Sequence, residues 1–129
     1  MPAPNVYDAD CPTRRVLDRV ADKWAVLVLV LLSTETLRFN ALRRRIDGIS
    51  QKMLSQTLKS LERDGLVGRR AIATVPVTVE YSITPLGRTL AKTVDGLRLW
   101  AESHIGEIEA AQAKYDGAGG RADVAALHP

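Results

Sequence analysis

The chain has little sulfur, few aromatics and almost no histidine. Of its 129 residues one is cysteine, two are histidine and 5% are aromatic. A single cysteine excludes an intrachain disulfide framework and any cysteine-rich zinc site. His104 and His128 lie far along the chain from Cys11, and no spacing holds either beside that thiol. There is no Gly-rich phosphate loop and no metal-spaced ligand set. The expectation is therefore a protein that is not an enzyme and carries no metal or cofactor. With so few aromatics, the core must be built from Leu, Val, Ile and Ala. The longest uninterrupted apolar run, Trp24 to Leu32, is too short to span a bilayer. The opening MPAPNVYDADC has neither a basic segment nor a long apolar one. No signal peptide, no membrane partner and a cytoplasmic location are expected.

What is present is aliphatic and unevenly charged. Hydrophobic residues make up 46% of a length that fits one domain. A domain this small buries a limited share of its surface, so a dimer would help it. The net charge is only +3. Between Arg38 and Arg70, however, nine Lys and Arg stand against three acids, which leaves the remainder of the chain net negative. A basic middle between acidic flanks suggests a local polyanion site, because attraction acts through patches.

Residues 1–10 contain two prolines and no periodicity and read as an N-terminal arm. Asp10-Cys11-Pro12 starts a helix, with Asp10 or Cys11 as cap and Val16, Leu17 and Val20 on one face. Asp22-Lys23-Trp24 opens a segment with the apolar body AVLVLVLL. It suits a central helix, although its β-branched content equally permits a buried strand. Thr36 to Phe39 suits a short edge strand, and Phe39 to Ile46 a third helix with Leu42 and Ile46 inward. Asp47-Gly48 stops that helix. Ser50 then caps a fourth, which runs to about Asp64 with Gly65 after it. Leu66 to Ala73 and Val77 to Thr84 form a hairpin. Thr84-Pro85 starts a long helix over 85–112, and 113–129, rich in Gly and Ala, is expected to be a flexible tail. Residues 11–112 are thus one α+β domain. It is mostly helical, with a two- to three-stranded hairpin wing and a long C-terminal helix.

A small protein that reads duplex DNA needs cations for phosphates and one rigid element for the major groove. Phe39–Ile46 and Ser50–Asp64, joined by a short Gly-containing turn, meet the helix-turn-helix pattern. If Leu54, Leu58 and Leu61 are buried, then Gln51, Lys52, Ser55, Gln56 and Lys59 populate the outer face, together with Ser50 at its start. Gln pairs with adenine and Lys donates to guanine, at roughly 1–3 kcal/mol of discrimination per good contact. A solvated helix face looks similar. The distinguishing feature is the clustering of Arg43, Arg44 and Arg45 before the turn with Arg69 and Arg70 on the hairpin, to grip phosphates. The hairpin tip Ala73 to Thr78 has no Lys or Arg, which leaves apolar contact, backbone contact or no contact.

These segments together resemble the HxlR family of MarR-like winged helix-turn-helix regulators. The likeness is carried by Cys11-Pro12, LDRVADKWAVLVLVLL, RFNALRR, GISQKMLSQTLKSLERDGLV and VEYSITPLG, from about Cys11 to Ile105. It implies a transcriptional regulator that binds double-stranded operator DNA as a homodimer formed through its terminal helices. It places Arg38 on a phosphate, leaves Asn40 to cap the third helix or face DNA, and makes Trp24 a core or dimer residue. It also implies that Cys11 senses oxidants or electrophiles, against the plainer reading of a small buried hydrophobe. A helix N-terminus with Arg14 or Arg15 would favour the thiolate, while Asp8 and Asp10 oppose it. With one cysteine per chain, oxidation could give only a Cys11–Cys11 bridge between subunits, a mixed disulfide or an adduct.

The long helix carries Leu90, Val94, Leu97, Trp100, Ala101, Ile105 and Ile108 at steps of three and four. One reading is that the stripe simply closes the domain's own core; its length favours a partner helix, because half of it would otherwise face water. A twofold dimer sets its recognition helices about 34 Å apart, which matches a pseudo-palindromic site. The resemblance to related winged-helix regulators also implies a small-molecule pocket between the long helix and the core, with no residue indicating its ligand. The alternative is a winged-helix module for protein or RNA contact, without operator binding. It would not need a basic outer face on the fourth helix.

Overall fold

The computed structural model describes residues 5–118. Helix α1 spans Pro12–Ala21, with Cys11 at the N-cap position and Pro12 in the first turn. None of its residues is buried, and Val16 and Leu17 are about half exposed. Helix α2, Lys23–Leu32, settles the choice between helix and strand. The Asp22 carboxylate accepts from the backbone N–H groups of Trp24 and Ala25, at 2.9 and 3.4 Å, satisfying donors that a helix start leaves unpaired. Ala25, Val28, Leu29 and Leu32 then form a buried stripe at helical spacing. Trp24 packs against the core and lies under the Lys23 ammonium, 4.4 Å from its ring centre.

Strand β1 (Leu37–Arg38) leads directly into α3 (Phe39–Arg45), whose C-cap is Ile46. Gly48, at φ +85°, turns the chain in the left-handed region that favours glycine. Helix α4 covers Gln51–Arg63. Ser50 Oγ accepts from the Met53 N–H at 3.0 Å, and Gly65, at φ +75°, follows the Asp64 C-cap. Strands β2 (Val67–Ile72) and β3 (Thr78–Ile83) form the hairpin, and β1 adds to β3 to give the order β1-β3-β2, all antiparallel. The core lies between α2, α3, α4 and this sheet, filled by Leu29, Leu32, Leu42, Leu54, Leu58 and Leu61.

Helix α5 runs Pro85–Gly117. Thr84 Oγ1 accepts from the Gly87 N–H at 2.9 Å and donates to the Gly65 carbonyl at 2.7 Å, tying the start of the helix to the end of α4. Gly87 is required there, because a Cβ would overlap the Leu66 carbonyl oxygen and crowd Ile83 Cγ1 to 2.8 Å. The helix continues past the expected end at 112. Residues 113–117 are helical rather than tail, since Gln112 to Tyr115 contain no helix breaker. The rest of the expected tail, from 119 on, lies outside the described residues, as do residues 1–4 of the expected arm. Residues 5–10 of that arm form turns, with the Cys11 N–H donating to the Asp8 carbonyl at 3.1 Å.

The chain divides into two compact units, one through Asp95 and the other from Gly96. Within the second, α5 leaves Leu97, Leu99, Trp100 and Ile105 about half exposed. The Trp100 and His104 rings stack with centroids 4.6 Å apart. No helix among the described residues is long and apolar enough to cross a membrane.

Candidate nucleic-acid interface

The geometry of α4 follows from its period. Leu54, Thr57, Leu58 and Leu61 are buried, so the opposite face is held outward by the packing. Gln51, Lys52, Gln56 and Lys59 are exposed on that face, and Ser55 is half-buried beside them. Ser50 is exposed and spends its hydroxyl on the cap. The N-terminal turns of α4 therefore combine cations, amide side chains and the positive end of a helix dipole.

The sheet register sorts the arginines. Leu37, Tyr81 and Arg69 are cross-strand neighbours, and so are Arg38, Glu80 and Arg70. Side chains alternate faces along a strand, so Arg69 lies on the face shared with Tyr81 and Arg70 on the other. Arg69, Tyr81, Phe39, Gln51, Ser55 and Lys59 line a cleft of about 500 Å³ between α4 and the sheet. Arg70 stands 3.8 Å from Glu80, which also faces Arg38. The two strand arginines, grouped together by sequence, thus serve opposite sheet faces.

Arg43, Arg44 and Arg45 are all exposed in the last turn of α3. Arg45 is ion-paired with Glu35. Asn40 does not cap α3: Arg38 occupies the N-cap position and Asn40 lies inside the first turn, exposed. The reason is that the chain passes straight from β1 into the helix. At the wing tip, the Thr74 hydroxyl donates to the Pro76 carbonyl at 2.7 Å, and Val75 and Val77 are exposed.

Cys11 is buried, at 7% exposure. Its thiol is held below the ordinary value, chiefly by the Arg14 backbone N–H, against burial, which pushes it up. The Thr13 and Asn5 backbones act in the same direction as Arg14. The helix start supplies this stabilisation, whereas the Arg14 side chain donates instead to the Tyr7 carbonyl at 3.3 Å. Along α5, Val94 is fully buried and Leu90 packs against the core, whereas Leu97, Trp100, Ala101 and Ile105 are exposed and Ile108 is half-buried. The stripe read as one surface is divided between core and exterior.

Three features escaped the sequence. Phe39 and Tyr81 help to line the cleft beside α4, Glu80 lies between two arginines, and Arg19 Nε meets Asp64 Oδ2 at 2.7 Å. Only strand alternation hinted at the second, and it needed the register to be useful.

A family model described as HxlR-like helix-turn-helix matches residues 19–109. The chain is 46% identical over 104 residues to the HTH-type transcriptional regulator YtfH of Escherichia coli, whose function is uncharacterised; the match covers 81% of this chain and 82% of that one. A structure described as the transcriptional regulator YtfH from Salmonella typhimurium superposes with a TM-score of 0.80 at 41% identity, covering 86% of this chain and 99% of the other. The redox regulator HypR in its oxidised form gives a TM-score of 0.67 at 40% identity, over 72% of this chain and 96% of HypR.

Proposed function

Starting from the premise that the chain belongs to the HxlR-like helix-turn-helix family and is a DNA-binding transcriptional regulator rather than an enzyme, we propose that it acts as a homodimer on a pseudo-palindromic duplex operator. Helix α4 enters the major groove. Lys52 and Gln56 meet base edges, Ser55 allows close approach, and Gln51 and Lys59 lie at the cleft beside the groove wall. Arg69 holds the phosphate strand that runs along the cleft, with Arg43 and Arg44 on the flank. The carrying observation is that the outer face of α4 is polar, cationic and exposed while its other face is locked in the core.

The apolar residues exposed in the second half of α5, Leu97, Trp100 and Ile105, support pairing with a second copy. The test is binding to duplex from upstream of the protein's own gene at several salt concentrations. Affinity falls steeply with salt if several phosphates are neutralised. A flat response would return the alternative of a protein-contact module.

Regulation is assigned to Cys11. Its lowered thiol and the likeness to the redox regulator HypR support a switch by oxidant or electrophile. Because the thiol is buried against the turn of residues 5–10, that turn must open before a reagent reaches it. Cys11→Ser is expected to bind DNA normally and ignore diamide or quinone. If the wild type ignores them as well, the switch is absent.

A further inference from the structure

Helix α4 exposes one residue that a phosphate-seeking surface does not need. Leu54, Leu58 and Leu61 are buried, but Met53, the remaining apolar residue of the helix, is 39% exposed. A single exposed hydrophobe is ordinary on a protein surface. The position of this one is not. Met53 lies in the first turn of α4 and closes an exposed run that starts at Ser50. Its backbone is fixed there, because the Met53 N–H donates to Ser50 Oγ at 3.0 Å. Helical side chains lean toward the N-terminus, so the thioether covers the tip of the helix.

The wheel of α4 separates two flanks. Gln51, Ser55 and Glu62 form the row that lines the cleft beside the sheet. At about 100° per residue, Met53 falls on the opposite flank. Gln56, also exposed, stands beside it one turn on. One side of the helix tip is therefore polar toward the cleft, and the other pairs an amide with an apolar group.

The major-groove edges of base pairs carry hydrogen-bond donors and acceptors, and a single apolar feature, the C5-methyl group of thymine. An apolar side chain at the reading end of α4 is complementary to that group. The unbranched thioether has the freedom to follow it without a rigid fit. Residues three apart on a helix have Cβ atoms about 5–6 Å apart, and successive base pairs rise about 3.4 Å, so Met53 and Gln56 reach neighbouring pairs. We propose that Met53 is a specificity-determining residue that packs on a thymine C5-methyl group within about two base pairs of the adenine met by Gln56. The assignment rests on the reading of α4 as the helix in the major groove.

The test is an anisotropy titration of the full-length protein with duplex from upstream of its own gene. Each thymine of one footprinted half-site, on either strand, is replaced in turn by deoxyuridine. The replacement removes the methyl group and keeps every hydrogen-bonding edge. At one position the wild type should bind the deoxyuridine duplex about fourfold less tightly, the worth of one buried methyl group. Met53→Ala should bind the two duplexes equally and keep the wild-type salt slope, because no phosphate contact is lost. Met53→Leu should retain the preference for thymine. Equal wild-type affinity for thymine and deoxyuridine at every position overturns the proposal. So does a preference that survives in Met53→Ala, since the methyl group then packs on another residue. Failure to bind any duplex would strike the reading of α4 and this assignment with it, whereas normal operator binding without a thymine preference strikes the assignment alone.

Discussion

Helix α4 and the second half of α5 carry the same kind of signal, apolar residues at steps of three and four, and they meet different ends. In α4 the stripe is consumed inside the chain: Leu54, Leu58 and Leu61 are buried, and what faces outward is polar and cationic. Beyond Asp95 the α5 stripe remains exposed at Leu97, Trp100 and Ile105. Periodicity tells which residues share a face, not what covers that face. An amphipathic helix whose apolar side is already satisfied has its polar side free for a polyanion. One whose apolar side is bare calls for a second helix.

The contrast breaks first at the core. Leu58→Ala should cost about 2–5 kcal/mol of unfolding free energy, because a leucine in contact on all sides leaves a cavity. Denaturant unfolding should show this loss equally at every protein concentration. Leu97→Asp with Trp100→Asp should behave differently, separating the proposed dimer in light scattering and weakening operator binding roughly 10²-fold through lost bivalency. A variant that remains dimeric would remove the partner-helix reading. Lys52→Ala or Gln56→Ala should leave stability and dimer unchanged and reduce discrimination between operator and random duplex by about 1–3 kcal/mol in competition gel shifts. Arg69→Ala should weaken all duplexes alike and lower the salt slope by about one unit. Arg70→Ala should do so less, because Arg70 lies on the opposite sheet face beside Glu80.

The smallest effect concerns Cys11. Its thiol is lowered in the folded chain, so folded protein loses the proton at lower pH than unfolded protein. The stability gained from the thiolate is present above the unfolded thiol's pKa and is lost as pH falls through the folded value. The alkylation rate with iodoacetamide should reach half its maximum at lower pH in native than in denatured protein. Coincident midpoints would contradict the helix-start effect.

The parts of the fold legible in sequence were those with local causes. Ser50 before an apolar period, Gly48 and Gly65 at left-handed turns, and Thr84-Pro85 before the long helix each act on neighbouring backbone. Trp24 to Leu32 was ambiguous because every residue is apolar, and the cap from Asp22 carried the decision. The site was legible as a helix face but not as a cleft. Which arginine joins α4 depends on the pairing of β2 with β3, and Arg69 and Arg70 look identical until that register is fixed. Asn40 was open for the same reason, since only the direct passage from β1 into α3 places it inside the helix. The division of the α5 stripe at Val94 depends on tertiary burial, which periodicity does not contain.

The central claim is that the N-terminal turns of α4 lie against base edges. It is tested most directly by tethering. In a Cys11→Ser background, Gln56→Cys should form a disulfide with operator DNA bearing a thiol-tethered base in the major groove, and Arg63→Cys, at the far end of the helix, should not. Cross-linking from position 63 with none from position 56 would contradict the account.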